Sequence, residues 1–160
     1  MNKVVIADAG PLIALARLHQ IGLLPQVFRR VLVTEEVFAE CAGKADFPES
    51  ALIREAVNTR QLELCAAPDF SAYAQKIDAG EASAIAVAID CGCGVLMDDK
   101  AGRRMAENAG VPVIGTVGVL VLAKRRGLVP QVKPLLEKLE ASGYFLGDEI
   151  ITAALAAAGE

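Results

Sequence analysis

Several acidic residues of this 160-residue chain directly follow an apolar segment or lie on a predicted helix. The ones whose type and spacing could do chemistry are Asp8, Glu40, Glu81, Asp98 and Asp99. If these carboxylates meet, they repel one another, and burying that repulsion without a counter-charge costs stability. An all-oxygen set of ligands suits Mg²⁺ or Mn²⁺ better than zinc. Because such an ion activates water and clamps a phosphodiester, the predicted chemistry is hydrolysis of a phosphate ester.

Each of these acids also has a purely structural interpretation. Asp8 could form an Asx turn or cap a helix. Asp98 or Asp99 could cap the helix that follows, and Asp99 is the better placed of the two. Glu81 could simply complement a helix dipole, and Glu40 could belong to a solvated helix face. These interpretations stay open for each residue alone, and only the whole set favours a metal site.

Basic residues near these acids could hold the phosphates of a substrate: Lys100, Arg103, Arg104 and Arg17. The first three follow Asp98 and Asp99 directly, and Arg17 lies on the helix predicted after Asp8. Alternatively, the first three form only the wet face of an amphipathic helix. The sequence shows no aromatic stacking platform, so it does not predict that single strands bind by base stacking.

The composition excludes several classes of protein. A hydrophobic content of 54% with 22% charged residues excludes intrinsic disorder. A formal net charge of -4 disfavours nucleic-acid binding through bulk positive charge. Cys91 and Cys93 have no matching second pair for a zinc site, and free thiols predict a reducing, cytoplasmic environment. The longest apolar run, residues 111–123, is too short to span a bilayer, so no membrane role is predicted.

Short apolar runs alternate with longer helical patterns along the chain. The predicted strands are residues 4–6, 31–33, 62–65, 94–97 and 111–114. The predicted helices are residues 11–18, a segment capped by Thr34, and residues 48–59, 80–90, 100–108, 116–126, 131–142 and 148–158. This alternation predicts an α/β fold, a three-layer α/β/α sandwich around a mainly parallel sheet. The third predicted strand and the strand containing Pro112 are expected at its edges. Because ligands bind beyond the carboxyl ends of such strands, the acids are expected to converge there.

Five segments resemble, in the same order, the PIN-domain family in its VapC-like toxin branch. Residues 5–15 (VIADAGPLIAL) look like the opening of a PIN domain, in which the first catalytic Asp ends the first strand. Residues 80–86 (GEASAIA) resemble the GEAEAIA segment of that branch, and residues 95–104 (VLMDDKAGRR) resemble its LLIDDRKAR segment. Residues 113–118 and 133–136 resemble later segments. The similarity covers nearly the whole chain.

The resemblance implies a single PIN-like domain over residues 1–160, with a core to about residue 127 and a helical extension from about residue 128. It implies a cytoplasmic endoribonuclease that uses Mg²⁺ or Mn²⁺ and is often the toxin of a toxin–antitoxin pair. RNA is the implied substrate, and a homodimer neutralised by a cognate antitoxin is the implied assembly. Residue by residue, the resemblance maps the first to fourth catalytic acids and metal ligands to Asp8, Glu40, Glu81 and Asp99. Asp98 competes with Asp99 as a metal ligand, and Glu36 competes with Glu40.

The chain departs from the family's pattern next to the first acid. Many PIN domains have Thr and Ser directly after it, where this chain has Ala9 and Gly10. The third acid is Glu81, where Asp is commoner. These departures keep open a catalytically silent PIN-like module that serves protein association. A receiver-like domain phosphorylated on Asp98 or Asp99 is a weaker alternative.

Overall fold

The computed structural model describes residues 3–43 and 47–160, so residues 1–2 and 44–46 of the predicted domain lie outside the described residues. The strands are β1 (Val4–Ala7), β2 (Arg30–Thr34), β3 (Glu63–Cys65), β4 (Gly94–Leu96) and β5 (Val113–Ile114). The helices are α1 (Ala9–Arg17), α2 (Leu24–Val27), α3 (Glu35–Ala42), α4 (Pro48–Asn58), α5 (Ala79–Cys91), α6 (Lys100–Asn108), α7 (Thr116–Arg125), α8 (Lys133–Ala141) and α9 (Asp148–Ala158). A short 3-10 helix, Ile21–Leu23, precedes α2.

The strands form one parallel sheet in the order β3-β2-β1-β4-β5. Val5 in the central strand β1 lies opposite Val31 of β2 on one side and Gly94 of β4 on the other. The edge strands are β3 and β5, as predicted. β5 begins directly after Pro112, whose ring nitrogen carries no hydrogen to donate to a ladder.

Successive residues of the inner strands face two separate hydrophobic cores. In β1, Val5 and Ala7 belong to one core, whereas Ile6 belongs to the other. Residues of α1, α4 and α7 fill the first core, and residues of α5 and α6 fill the second. Strands buried on both faces explain the continuous apolar runs of the sequence. The predicted three-layer α/β/α sandwich is therefore confirmed.

The strand order creates a crevice between β1 and β4. The chain runs outward from β1 through β2 to β3 and then returns to place β4 on the other side of β1. The two connections leave the sheet on opposite sides there, which is where open α/β sheets bind ligands. The Asp8 amide donates a hydrogen bond of 2.9 Å to the carbonyl of Leu96. This bond holds the end of β1 against the end of β4.

The observed elements match the predicted ones within two residues at each end, except for the segment that contains α2. This segment was not predicted, since its one helical turn is too short to show a hydrophobic period, although Leu24 and Val27 are buried in the core. Among residues 3–43 and 47–160, no helix is long and apolar enough to cross a membrane.

Candidate active site

A cleft of about 1040 Å³ opens at the carboxyl ends of β1 and β4. The acidic side chains that line it are Asp8, Glu40, Asp78, Glu81, Asp98 and Asp99. They come from the end of β1, from α3, from the start of α5 and from the turn between β4 and α6. The structure thus brings the five acids singled out in the sequence to one cleft, together with Asp78.

Asp8 is a buried carboxylate that its surroundings do not satisfy. It stands at the N-cap position of α1, but its side chain makes no capping hydrogen bond, and the residue is only 6% exposed. No described residue donates a hydrogen bond to Asp8 Oδ1, and the neighbouring Ala9 and Gly10 have no hydroxyl to offer. Burial raises the pKa of Asp8 to about 7, and the charges of nearby acids add to the rise against the opposing effect of the Ala9 amide. The ionised form of Asp8 therefore lacks a counter-charge.

Asp78 and Glu81 form a second part of the acidic cluster at the start of α5. Asp78 Oδ1 accepts a hydrogen bond of 2.8 Å from the Glu81 amide and so caps the helix. The pKa of Glu81 is raised to about 8, first by burial, then by a hydrogen bond shared with the Asp78 carboxyl group and by the charges of nearby acids. We did not predict Asp78 as a site residue, although Asp followed three residues later by Glu is a signal for a helix start.

Glu40 reaches the cleft across the first turn of α5. A Cβ atom placed on Gly80 would lie 2.6 Å from Glu40 Oε2, so the carboxylate occupies the space that the missing side chain leaves. Burial raises the pKa of Glu40, and the charge of Asp78 raises it further. The competing acid, Glu36, does not line the cleft, and no described residue donates a hydrogen bond to its buried Oε1.

Gly80→Ala is expected to weaken Mn²⁺ binding by about tenfold or more while the fold is kept, because the new methyl group displaces Glu40. Alanine is the better helix former by about 1 kcal/mol, so the melting temperature should not fall. Titration calorimetry with Mn²⁺ and thermal denaturation measure the two effects. Gly22→Ala is the matched control, since a Cβ there would meet no atom closer than 3.9 Å. Equal Mn²⁺ affinity in both variants would contradict the placement of Glu40.

Asp98 and Asp99 are adjacent but have different surroundings. Asp98 accepts hydrogen bonds from the Thr116 amide at 2.8 Å, from the Thr116 hydroxyl at 2.5 Å and from the hydroxyl of Tyr144. Asp99 uses Oδ2 to cap α6 through the Gly102 amide at 3.0 Å, as predicted. No described residue donates to its other oxygen. Asp98 therefore ties α7 and the α8–α9 loop to the sheet, and Asp99 keeps one oxygen for a ligand.

Three cations also line the cleft: Lys100, Arg103 and Arg125. Arg103 donates a hydrogen bond of 2.9 Å to the carbonyl of Met97, which fixes its guanidinium beside the acids. Arg125 was not predicted, since a cation in the last turn of a helix is expected for the helix dipole alone. The structure does not bring the other two predicted cations to the cleft, because Arg17 pairs with Glu49 at 3.1 Å and Arg104 is exposed on α6 outside its lining.

The donor set of the cleft fits a hard divalent cation. It consists of carboxylate oxygens, and the only histidine, His19, lies in another hollow beside Arg17. The pKa values of Asp8, Glu40 and Glu81 are raised, first by burial and then by the charges of neighbouring acids, so their ionised forms would be stabilised by a cation. Among the residues that the structure describes, no three His, Cys, Asp or Glu side chains stand close enough to hold a metal ion. These carboxylates would hold an ion only after side-chain rotation brings them closer together.

Comparison with known proteins identifies a family that this chain matches. Residues 4–160 match the family model DUF3368, which is described as a PIN domain. No curated protein matches the chain.

Proposed function

Because the chain belongs to the PIN-domain family, whose members are generally nucleases that use divalent metals, we propose that it is a metal-dependent endoribonuclease with its active site in the acidic cleft. The observation that carries this proposal is that Asp8, with a buried unpartnered oxygen, lines the acidic cleft at the crevice between β1 and β4, whereas Glu36, which also has such an oxygen, does not line it. A structural role alone does not account for it, because a structural carboxylate this buried is normally hydrogen-bonded.

In this proposal Asp8, Glu40, Glu81 and Asp99 hold Mg²⁺ or Mn²⁺ and are the catalytic acids. When bound, the ion supplies activated water and neutralises charge on the phosphodiester. Asp98 is a positioning residue, because Thr116 and Tyr144 already occupy its oxygens. Asp78 joins the set through its negative charge, which raises the pKa values of three of the four acids: Asp8, Glu40 and Glu81.

Lys100 and Arg103 are the residues that we propose to hold RNA phosphates beside the acids. Both lie in the first turns of α6, immediately after Asp99. A fixed guanidinium can donate two hydrogen bonds to a phosphate, and Arg103 is already fixed by its bond to the Met97 carbonyl. Arg125 extends this positive charge along the wall formed by α7.

The finer biological role that we propose is the toxin of a toxin–antitoxin pair. It rests on the resemblance of residues 80–86 and 95–104 to the VapC-like branch. In this role the chain is a cytoplasmic homodimer, and a cognate antitoxin neutralises it.

A cleavage assay tests the enzymatic proposal. The full chain is incubated with a structured RNA and, in parallel, with a DNA of the same sequence, in Mg²⁺, in Mn²⁺ or in EDTA. We expect internal cuts in RNA only when a divalent ion is present, and we expect excess Mn²⁺ to restore the cutting that EDTA stops. Cleavage that continues in EDTA would refute the proposed site, as would an RNA that stays intact under all conditions.

A second candidate function is a catalytically silent module for protein association. Two observations favour it. Ala9 and Gly10 follow Asp8 where many PIN domains have hydroxyl residues. Among the described residues, no three acidic side chains stand close enough to hold an ion. Calorimetry separates the two candidates, since the nuclease must bind Mn²⁺ and a silent module need not.

A further inference from the structure

Phe145 is an exposed aromatic ring in the wall of the acidic cleft. It is 90% exposed, more than any other large apolar side chain among the described residues, and it lines the same cleft as Asp8 and Asp99. The sequence did not predict an aromatic platform, because the chain is poor in aromatics and Phe145 stands in a loop without any pattern.

The loop that carries Phe145 is held on both sides of the ring. Tyr144 donates its hydroxyl hydrogen to Asp98. Leu146 is 7% exposed and belongs to the hydrophobic core. Two anchored neighbours therefore hold the backbone that carries the exposed ring in the wall of the cleft. Because the backbone is held, ordering the loop costs little conformational entropy when the ring stacks on a ligand.

The remaining wall of the cleft fits one nucleotide base better than a protein partner. Apolar side chains of α7 and α9 form it, and Ile150 is the only other large apolar residue in the described lining that is exposed. A stable protein interface buries about 800 Å² on each side, which two exposed side chains do not provide. An unpaired base needs only one ring face, and every base has such a face.

We propose that Phe145 stacks on an unpaired base of the RNA next to the cleaved phosphodiester. This inference rests on the proposed function. The phosphate lies toward Lys100 and Arg103, and the base turns to the apolar side of the cleft. A base in a duplex cannot reach the ring, since it is stacked between its neighbours.

The test compares Phe145→Leu and Phe145→Trp with the wild-type chain on single-stranded RNA. We expect Phe145→Leu to lower kcat/KM about tenfold, mainly through KM, and Phe145→Trp to keep it, because Trp also stacks. Phe47→Leu is the matched control, since Phe47 is also exposed, at 67%, but does not line the cleft. All of these positions are exposed, so the folded state should persist.

A set of oligonucleotides with one abasic nucleotide near the cut identifies the stacked base. Removing that base should slow the wild-type enzyme about tenfold, and Phe145→Leu should then cost nothing more. Three results overturn the inference while the proposed function stands. The first is equal rates for all variants, and the second is a change of oligomeric state with unchanged kinetics. The third is that the loss from Phe145→Leu and the loss from the missing base add when they are combined. If the wild-type chain cuts no RNA, the proposed function fails and this inference fails with it.

Discussion

Asp8→Asn is expected to lower Mn²⁺-dependent RNA cleavage by about a thousandfold, which corresponds to roughly 4 kcal/mol of activation free energy. Asn keeps the shape of the side chain but removes the negative charge from the buried end of the cleft. The same substitution should abolish growth arrest on expression if the chain is a toxin. Asp90→Asn, at the exposed far end of α5, is the matched control and should leave both properties unchanged.

The same Asp8→Asn variant is expected to be more stable than the wild type in the absence of metal at pH 8. A pKa raised from 3.8 to about 7 makes the ionised carboxylate about 4 kcal/mol less favourable in the folded chain than in the unfolded one, at about 1.36 kcal/mol for each pKa unit. The Asn amide is itself poorly hydrogen-bonded there, which offsets part of this gain. We therefore expect a net gain of about 1–3 kcal/mol in the free energy of unfolding.

Activity and stability thus move in opposite directions in this variant, which a merely structural Asp8 would not produce. Denaturant unfolding in EDTA at pH 8 measures the free energy of unfolding, and the cleavage assay measures the rate. If Asp8→Asn lowers both, Asp8 supports the fold, and the loss of cleavage does not identify it as a metal ligand. Circular dichroism of both variants checks that the fold is retained.

The fold was predictable because its local signals agree with its global arrangement. Thr34 caps α3 and Asp99 caps α6 at the positions where the sequence places these helices. The runs of β-branched residues form strands that are buried on both faces. Such strands have continuous apolar sequences, which differ from the 3.6-residue hydrophobic period of a surface helix. The two edge signals, Pro112 and the short third strand, predicted which strands lie at the ends of the sheet, but the order of the three inner strands came only from the structure.

The details of the site were less predictable, because they depend on packing between distant elements. Glu36 and Glu40 differ by one helical turn, and only the position of α3 against Gly80 shows that Glu40 reaches the cleft. Asp98 and Asp99 are adjacent, and only the approach of Tyr144 and Thr116 distinguishes them. Arg17 pairs with Glu49, a partner 32 positions away that no local pattern indicates. Such contacts are set by tertiary packing rather than by sequence period.

A second large effect is expected from pH and metal on the wild-type chain. Asp8 and Glu81 have pKa values of about 7 and about 8 in the folded chain, above their ordinary values of 3.8 and 4.5. The folded chain therefore binds more protons than the unfolded chain between about pH 4 and pH 8. The free energy of unfolding must fall as the pH rises through this range, and the stabilisation is complete only below the unfolded pKa values.

A divalent ion should reverse this loss, because it replaces the missing protons as the counter-charge. At a free Mn²⁺ concentration of 100 times Kd, binding adds about 2.7 kcal/mol of stability at pH 8, which is a rise of roughly 5–10 °C in Tm for a chain of this size. At pH 5 protons compete for the same carboxylates, so the rise should be small. Scanning calorimetry in EDTA and in Mn²⁺ at both pH values measures these shifts.

The double variant Asp8→Asn, Glu81→Gln should lose both the fall of stability with pH and the response of Tm to Mn²⁺. It removes the two acids whose pKa values are raised to about 7 and about 8. Glu140→Gln changes an exposed acid of α8 outside the cleft and should keep both. A wild-type Tm that rises between pH 5 and pH 8 in EDTA would show that the acids of the cleft are already neutralised by the protein. An equal response to Mn²⁺ at the two pH values would place the bound ion elsewhere, because an ion on these carboxylates must compete with their protons.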